Sequence, residues 1–192
     1  DHAKNSAQAA IRTKILLDTN QLLQKAKSEE EIFSLTASQL IKLLNRSLIV
    51  YPEQNGDLGS EQFFGVDGET AQNIFSAPEE RDAANWTFAN KKRSGAGTDS
   101  YPDAKGLYLA LRTGGGVFGV VGIDLSEKPL DAFENSVLLS ILGEGALAIE
   151  NRRNALEKEQ ATVQAKNEEQ RANLLRTISH ALRTPLTSIS GN

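Results

Sequence analysis

The chain has no cysteine, which removes a disulfide framework and any thiolate metal site and suits a reducing cytosol. Histidine is nearly absent too, at two residues. His2 and His180 are far apart and the carboxylates are scattered, so no metal-ligand spacing is legible and no Ser-His-Asp or Cys-His arrangement can be built. A basic surplus is also lacking: 21 Lys and Arg against 25 Asp and Glu leave a formal charge of −4. That balance offers nucleic acid or anionic lipid no sequence-independent attraction. Long apolar runs are missing, since 48–51 and 117–123 fall far short of the ~20 residues of a membrane helix, and a soluble chain is expected. No signal or transit pattern opens it. The start at Asp1 without Met, and the stop at Asn192 in a helical pattern, suggest a piece of something longer.

What is present fits one ordinary domain plus an extension. Residues 4–27 carry Ile11, Ile15, Leu16, Leu22 and Leu23 at helical spacing, a face suited to a dimer or bundle. Ser28 followed by Glu29, Glu30 and Glu31 offers an N-cap with its capping-box acid, opening a second helix with Ile32, Phe33, Leu35, Leu40, Ile41, Leu43 and Leu44. Strand formers over 47–51 are expected to stop at Pro52. Asn55-Gly56 then marks a turn and 61–66 a returning strand. A helix is expected over 78–92, with Pro78 and acids at its start and Lys91, Lys92 and Arg93 at its end, in accord with the helix dipole. After a loop over 93–106, the segments 107–112 and 117–125 flank Thr113 and three glycines as a second antiparallel hairpin.

From Leu130 nothing breaks a helix before Pro185, although Gly143 and Gly145 weaken it and allow close packing. Leu138, Ile141, Leu142, Leu147 and Ile149 can cover the sheet. Residues 151–170 are mostly Arg, Glu, Lys, Asn and Gln, with Leu156 and Val163 a heptad apart, and read as a polar linker, either a weak coiled coil or a solvated single helix. The sum is an α+β sandwich with helices on one face of an antiparallel sheet, followed by a long C-terminal helix.

Near that helix's end, Ser179 to Leu186 reads Ser-His-Ala-Leu-Arg-Thr-Pro-Leu. Leu175, Ile178 and Leu182 follow the i, i+3, i+7 spacing of one apolar stripe, which leaves His180 on the opposite side. An imidazole that attacks a phosphate carried by a mobile domain needs that access. Pro185 cannot donate to the carbonyl of Ala181, so a bend or loosening is expected one turn beyond the histidine. The string resembles the H-box of bacterial sensor histidine kinases, and the wider 171–192 resembles the potassium-responsive KdpD kinases. The resemblance implies that His180 is the phosphoacceptor, within the context Ser179, Leu182, Arg183, Thr184 and Pro185, on the first helix of a dimeric four-helix bundle. It departs at Ala181, where the family pattern has Glu or Asp, a carboxylate that takes the imidazole proton.

Upstream, Tyr108 to Leu111 and Gly116 to Ile123 resemble the strand pair of a GAF domain around its glycine turn, a likeness covering roughly 28–149. The implied layout is an N-terminal dimerisation helix over 1–27, a GAF-like sensor over 28–149, a helical signalling linker over 150–170 and the start of the phosphoacceptor helix over 171–192. The same resemblance implies a homodimer, a response regulator of the KdpE kind, potassium or osmotic signalling, and a place on the cytosolic side of a bacterial membrane protein. It implies no cofactor in this piece, with ATP and Mg used by the whole kinase through an ATP-binding domain whose Asn and Gly-rich boxes are not among these residues.

GAF domains often hold a small molecule between the sheet and the loops over it, which makes Trp86, Arg93, Asp99, Tyr101, Asp103 and Lys105 the ligand candidates. The Asn-Lys-x-x-Asp signature of cyclic-nucleotide binders is not matched, because Ser94 stands where Asp belongs, and a bilin has no cysteine to attach to. Gly114 to Gly116 lead into a strand rather than a helix, so they are a turn and not a phosphate loop. Gly116, Gly119 and Gly122 lack a dinucleotide context and read as packing or bulge positions. Two other readings stay open: a GAF dimerisation or ligand module of another signalling protein, and a kinase that Ala181 has turned into a scaffold.

Overall fold

Leu48, Ile49, Val50 and Tyr51 are all buried. A strand sends neighbouring side chains to opposite faces, so four apolar residues in a row require cover on both sides. The computed structural model, which describes residues 2–65 and 68–190 apart from the side chains of 68–69 and 184–190, supplies both covers. Its elements are α1 (His2–Gln24), α2 (Glu29–Leu44), β1 (Leu48–Gln54), β2 (Asp57–Leu58), β3 (Gln62–Phe64), α3 (Gly68–Phe75), α4 (Pro78–Asn90), β4 (Ser94–Gly95), β5 (Gly106–Thr113), β6 (Gly116–Asp124) and α5 (Ala132–Ser190). They fall into two compact units, Asp1–Arg152 and Arg153–Asn192.

In the first unit every strand pair is antiparallel, in the order β2-β1-β6-β5-β4, with β3 also on β1. Leu48, Val50, Leu107, Leu109, Leu111, Val121 and Ile123 face one way, into a core shared with Ile32, Phe33, Leu40, Leu138, Ile141 and Ile149. Ile49, Tyr51, Tyr108 and Val120 face the other way, against Phe75, Ala83, Ala84 and Ala104. The fold is therefore α+β as expected, but α3 and α4 cover the second face and the sheet is enclosed, not open on one side. Period two breaks once, at a bulge where Leu111 opposes Gly119 and Arg112 opposes Val117. The extra residue, Phe118, joins the first core, on the side where a Cβ on Gly119 would meet the Phe33 ring at 3.2 Å.

β1 does not stop at Pro52. The Pro52 carbonyl accepts from Gly59 N–H at 2.7 Å, and a residue's N–H and C=O point to the same side of a strand. The missing donor therefore faces the gap between the β3 pairing, which ends at Val50, and the β2 pairing, which begins at Glu53, so the ladder to β6 loses nothing. The returning strand expected over 61–66 is β3, and Val66 lies outside the described residues.

Ser28 caps α2 by accepting from Glu31 N–H at 3.1 Å, while Glu31 Oε2 accepts from Lys27 N–H at 2.9 Å. α5 starts two residues later than expected, because Asp131 accepts from Glu134 N–H at 2.7 Å and Glu134 returns the bond to Asp131 N–H at 3.2 Å. Of its glycines, Gly145 sits where a Cβ would meet Thr36 Oγ1 at 2.7 Å, whereas Gly143 faces open space. Leu147 is exposed rather than laid on the sheet, as are Ile11 and Leu22 of α1. An 18-residue window of α5 reaches mean hydropathy 1.3, apolar enough by composition to cross a membrane. The sequence reading missed it because acids interrupt the apolar run. Val137, Leu138, Ile141, Leu142, Ala146 and Ile149 of this helix are buried in the first core.

Candidate functional site

In the second unit α5 continues as helix through His180 to Ser190. Helical periodicity then places Leu175, Ile178 and Leu182 along one stripe and His180 across from it. All four are exposed, as are Ser179, Ala181 and Arg183. The side chains of Thr184 and Pro185 lie outside the described residues, while the backbone stays helical past Pro185 to Ser190, so the loosening expected at the proline does not end the helix.

The six ligand candidates occupy α4 and the segment that follows it. Trp86 is half-buried on α4, and Arg93, Asp99, Tyr101, Asp103 and Lys105 are exposed. Arg93 Nη2 donates to Asn135 Oδ1 at 2.8 Å, which ties the end of α4 to the first turn of α5. None of the described hydrogen bonds joins two of the six. A polar cleft of about 360 Å³ lies elsewhere, lined by Asn45, Arg46, Ser47, Thr70, Asp124 and Lys128 among others.

Between the sheet and α4 the described side chains form a core of their own. Tyr51, Tyr108, Phe75 and Val120 are each at most 3% exposed. Gly122 makes room for this, since a Cβ there would run into the Tyr108 ring. Within this core Glu80 is 2% exposed and accepts three bonds: from Lys105 N–H at 3.0 Å, from Gly106 N–H at 3.0 Å and from the Tyr108 hydroxyl at 2.8 Å. Burial, and then the Glu80 charge, push the Tyr108 phenol far above the ordinary tyrosine range. Burial, followed by Glu61, raises Tyr51 as well, with Arg81 acting against both. The Arg81 guanidinium lies 5.3 Å from the centroid of the Tyr51 ring and pairs with Glu61 at 3.1 Å.

Ser94, at the position where cyclic-nucleotide binders carry Asp, is fully buried. Its hydroxyl donates to Ala83 O at 2.7 Å and lies 2.7 Å from Thr87 Oγ1. Lys91 takes a left-handed conformation and closes α4 through its N–H to Thr87 O. Sequence reasoning assigned Glu80 to the helix dipole and passed over Arg46. A carboxylate in the first turn of a helix and an Arg after a helix end carry no local sign that distant strands will bury them. Among the described residues there is no cluster of His, Cys, Asp or Glu able to hold a metal ion.

No family model matches the chain. By sequence it is similar to the sensor protein KdpD of Clostridium acetobutylicum, 32% identical over 190 residues, which cover 98% of this chain and 21% of that protein. The sensor protein KdpD of Escherichia coli is 28% identical over 183 residues, covering 94% of this chain and 20% of that protein. The chain thus spans about a fifth of the length of the curated relatives it matches. Among the solved structures that share the fold are two GAF domains. One is the GAF domain of the E. coli potassium sensor histidine kinase KdpD, with TM-score 0.53 and 20% identity, covering 79% of this chain and 99% of that one. The other is the GAF domain of a putative sensor histidine kinase from Pseudomonas syringae, with TM-score 0.59 and 19% identity, covering 84% and 99%.

Proposed function

The chain is a homologue of one segment of the KdpD sensor proteins and carries a GAF domain, and on that premise we propose that it is the sensor and phosphoacceptor segment of a two-component histidine kinase. In this reading the GAF domain receives a potassium or osmotic signal on the cytosolic side of the cell membrane, α5 carries the change onward, and His180 takes a phosphoryl group and passes it to an aspartate of a response regulator of the KdpE kind. The observation that supports it best is the box Ser179 to Leu186 on a helix, exposed from Ser179 to Arg183, downstream of a GAF fold, inside a similarity that runs along 98% of the chain.

The chemistry asked of His180 is simple. A ring nitrogen attacks the γ-phosphorus of ATP, held with Mg by a separate catalytic domain, an N–P bond forms and ADP leaves. The proton on the other ring nitrogen must go to a base, and position 181, where the family pattern supplies that carboxylate, is Ala. Leu175, Ile178 and Leu182 would meet a partner helix across the stripe, so the working unit is a homodimer. Joined to the ATP-binding domain of a KdpD relative, the chain should take up an acid-labile label from ATP, and His180→Gln should abolish it. Label retained in that variant removes His180 as acceptor.

For the GAF domain itself, the packing of Tyr51, Tyr108 and Phe75 under α4 favours a relay and dimerisation module over a small-ligand receptor. A well-formed ligand site needs a concavity with polar groups turned into it. Here the polar groups, Glu80 and Ser94, are already bonded to the protein.

A further inference from the structure

Three glycines follow Thr113, and the structure gives them different duties. Gly116 has φ of +146°, which the turn demands of it, whereas Gly114 faces open space with an ordinary φ. Gly115 faces something outside the hairpin: a Cβ there would displace the Glu150 carboxylate on α5, whose Oε2 lies in its place. The turn is bonded to that same carboxylate. Thr113 Oγ1 donates to Glu150 Oε2, and Gly115 N–H donates to Thr113 Oγ1 at 3.0 Å. The hydroxyl spends its single hydrogen on the carboxylate and its lone pair on the turn, so both bonds hold one geometry.

Glu150 stands at the end of the packed part of α5. Ile149 before it is fully buried, the first compact unit closes at Arg152, and every described side chain from 154 to 183 is exposed. The hairpin tip reaches this point beyond the Leu111/Arg112 bulge, where the strand pair changes its course. We propose that Thr113, Gly115 and Glu150 form a latch by which the β5–β6 turn holds the last domain-packed turn of α5, and that its opening frees the helix where it leaves the domain. Glu150 is only half-buried, so water can replace the threonine hydroxyl, and a contact of this kind exchanges between closed and open at modest cost. The signalling meaning of the latch rests on reading α5 as the output path. The latch itself belongs to the first unit alone.

Hydrogen exchange on the 192-residue chain tests it, with amides of 147–153 and Gly115 compared against Val121 and Ile123 in the central strand β6. Thr113→Val keeps the shape and loses the hydroxyl. It should raise exchange at Gly115 and over 147–153 by ~10-fold or more, the loss of one hydrogen bond to a charged group, while β6 stays unchanged. Glu150→Gln should act on the same amides, and Thr113→Ser should restore protection. Unchanged exchange over 147–153 in both Thr113→Val and Glu150→Gln, or a rise spread equally to β6, overturns the latch. The His180 labelling experiment is separate, so either idea can fail without the other.

Discussion

Tyr108 gives its phenolic hydrogen to Glu80 at 2.8 Å, and neither residue is more than 2% exposed. The same carboxylate closes the start of β5 through Lys105 N–H and Gly106 N–H, so one side chain of α4 satisfies two donors that the fold has taken from water and a third that is partly covered. Glu80→Ala should cost ~3 kcal/mol or more, because each buried donor left without a partner costs ~1–3 kcal/mol. Tyr108→Phe removes a single bond to a charged group and should cost ~1.5–3 kcal/mol. Urea unfolding ranks the two. A Glu80→Ala chain no less stable than Tyr108→Phe would mean that the backbone donors find other partners.

Both buried phenols are harder to ionise in the folded chain than in the unfolded one, chiefly through burial. A proton held more tightly by the fold stabilises it fully below the ordinary tyrosine value of ~10 and less above it, as the unfolded chain alone ionises. The urea midpoint should therefore fall as pH climbs past ~10. In a Tyr51→Phe, Tyr108→Phe chain that fall should be shallower. Parallel curves for the two chains would assign alkaline loss to other groups.

Much of this was legible before any coordinates. The Ser28 cap, the Pro78 helix start and the 107–125 hairpin follow from local chemistry: an acceptor before an apolar helix, a fixed φ at N1, glycines between strand formers. What escaped depended on distant chain. Pro52 reads as a strand end until its missing donor is seen to face a gap in the pairing, and Leu147 reads as core until Gly145 shows which side of α5 lies against Thr36. The candidates Asp99, Tyr101 and Asp103 were chosen because aromatic and charged groups suit a cleft. Composition cannot show that Tyr51 and Tyr108 fill the space between the sheet and α4.

Arg46 pins the approach to α5. Nη1 donates to Asp124 O at 3.1 Å and Lys128 O at 2.6 Å, Nη2 donates to Pro129 O at 3.0 Å, and Nε lies 3.6 Å from Glu134 Oε2. A lysine supplies one point charge where a planar fork is used, so Arg46→Lys should cost ~1–3 kcal/mol. Exchange of the 125–130 amides should rise with it. If those amides keep their protection, the loop is held by its own turns.

Ile11 and Leu17 on α1, with Leu139 and Leu147 on the domain part of α5, leave apolar side chains in water. A second copy is the occupant expected for them, since the reading of the chain as a kinase segment requires a dimer. Sedimentation should give a dimer mass that dissociates on dilution, and Leu139→Lys with Leu147→Lys should shift it to monomer. A monomer mass at every concentration would defeat the proposed homodimer.

The sharpest test of the kinase reading concerns the alanine beside the histidine. When the ring nitrogen of His180 bonds to phosphorus, the imidazole becomes cationic unless its other proton leaves, and a neighbouring carboxylate does this work in the family pattern. General-base catalysis contributes ~10²–10⁴ in rate, so a chain with Ala181, supplied with an ATP-binding domain, should label slowly. Ala181→Asp should recover much of the deficit, and the gain should vanish at low pH as the new carboxylate protonates. A rate unchanged by Ala181→Asp would mean that the proton finds water directly, and that position 181 is not where this chain keeps its base. A fast rate with Ala181 in place would say the same from the other side.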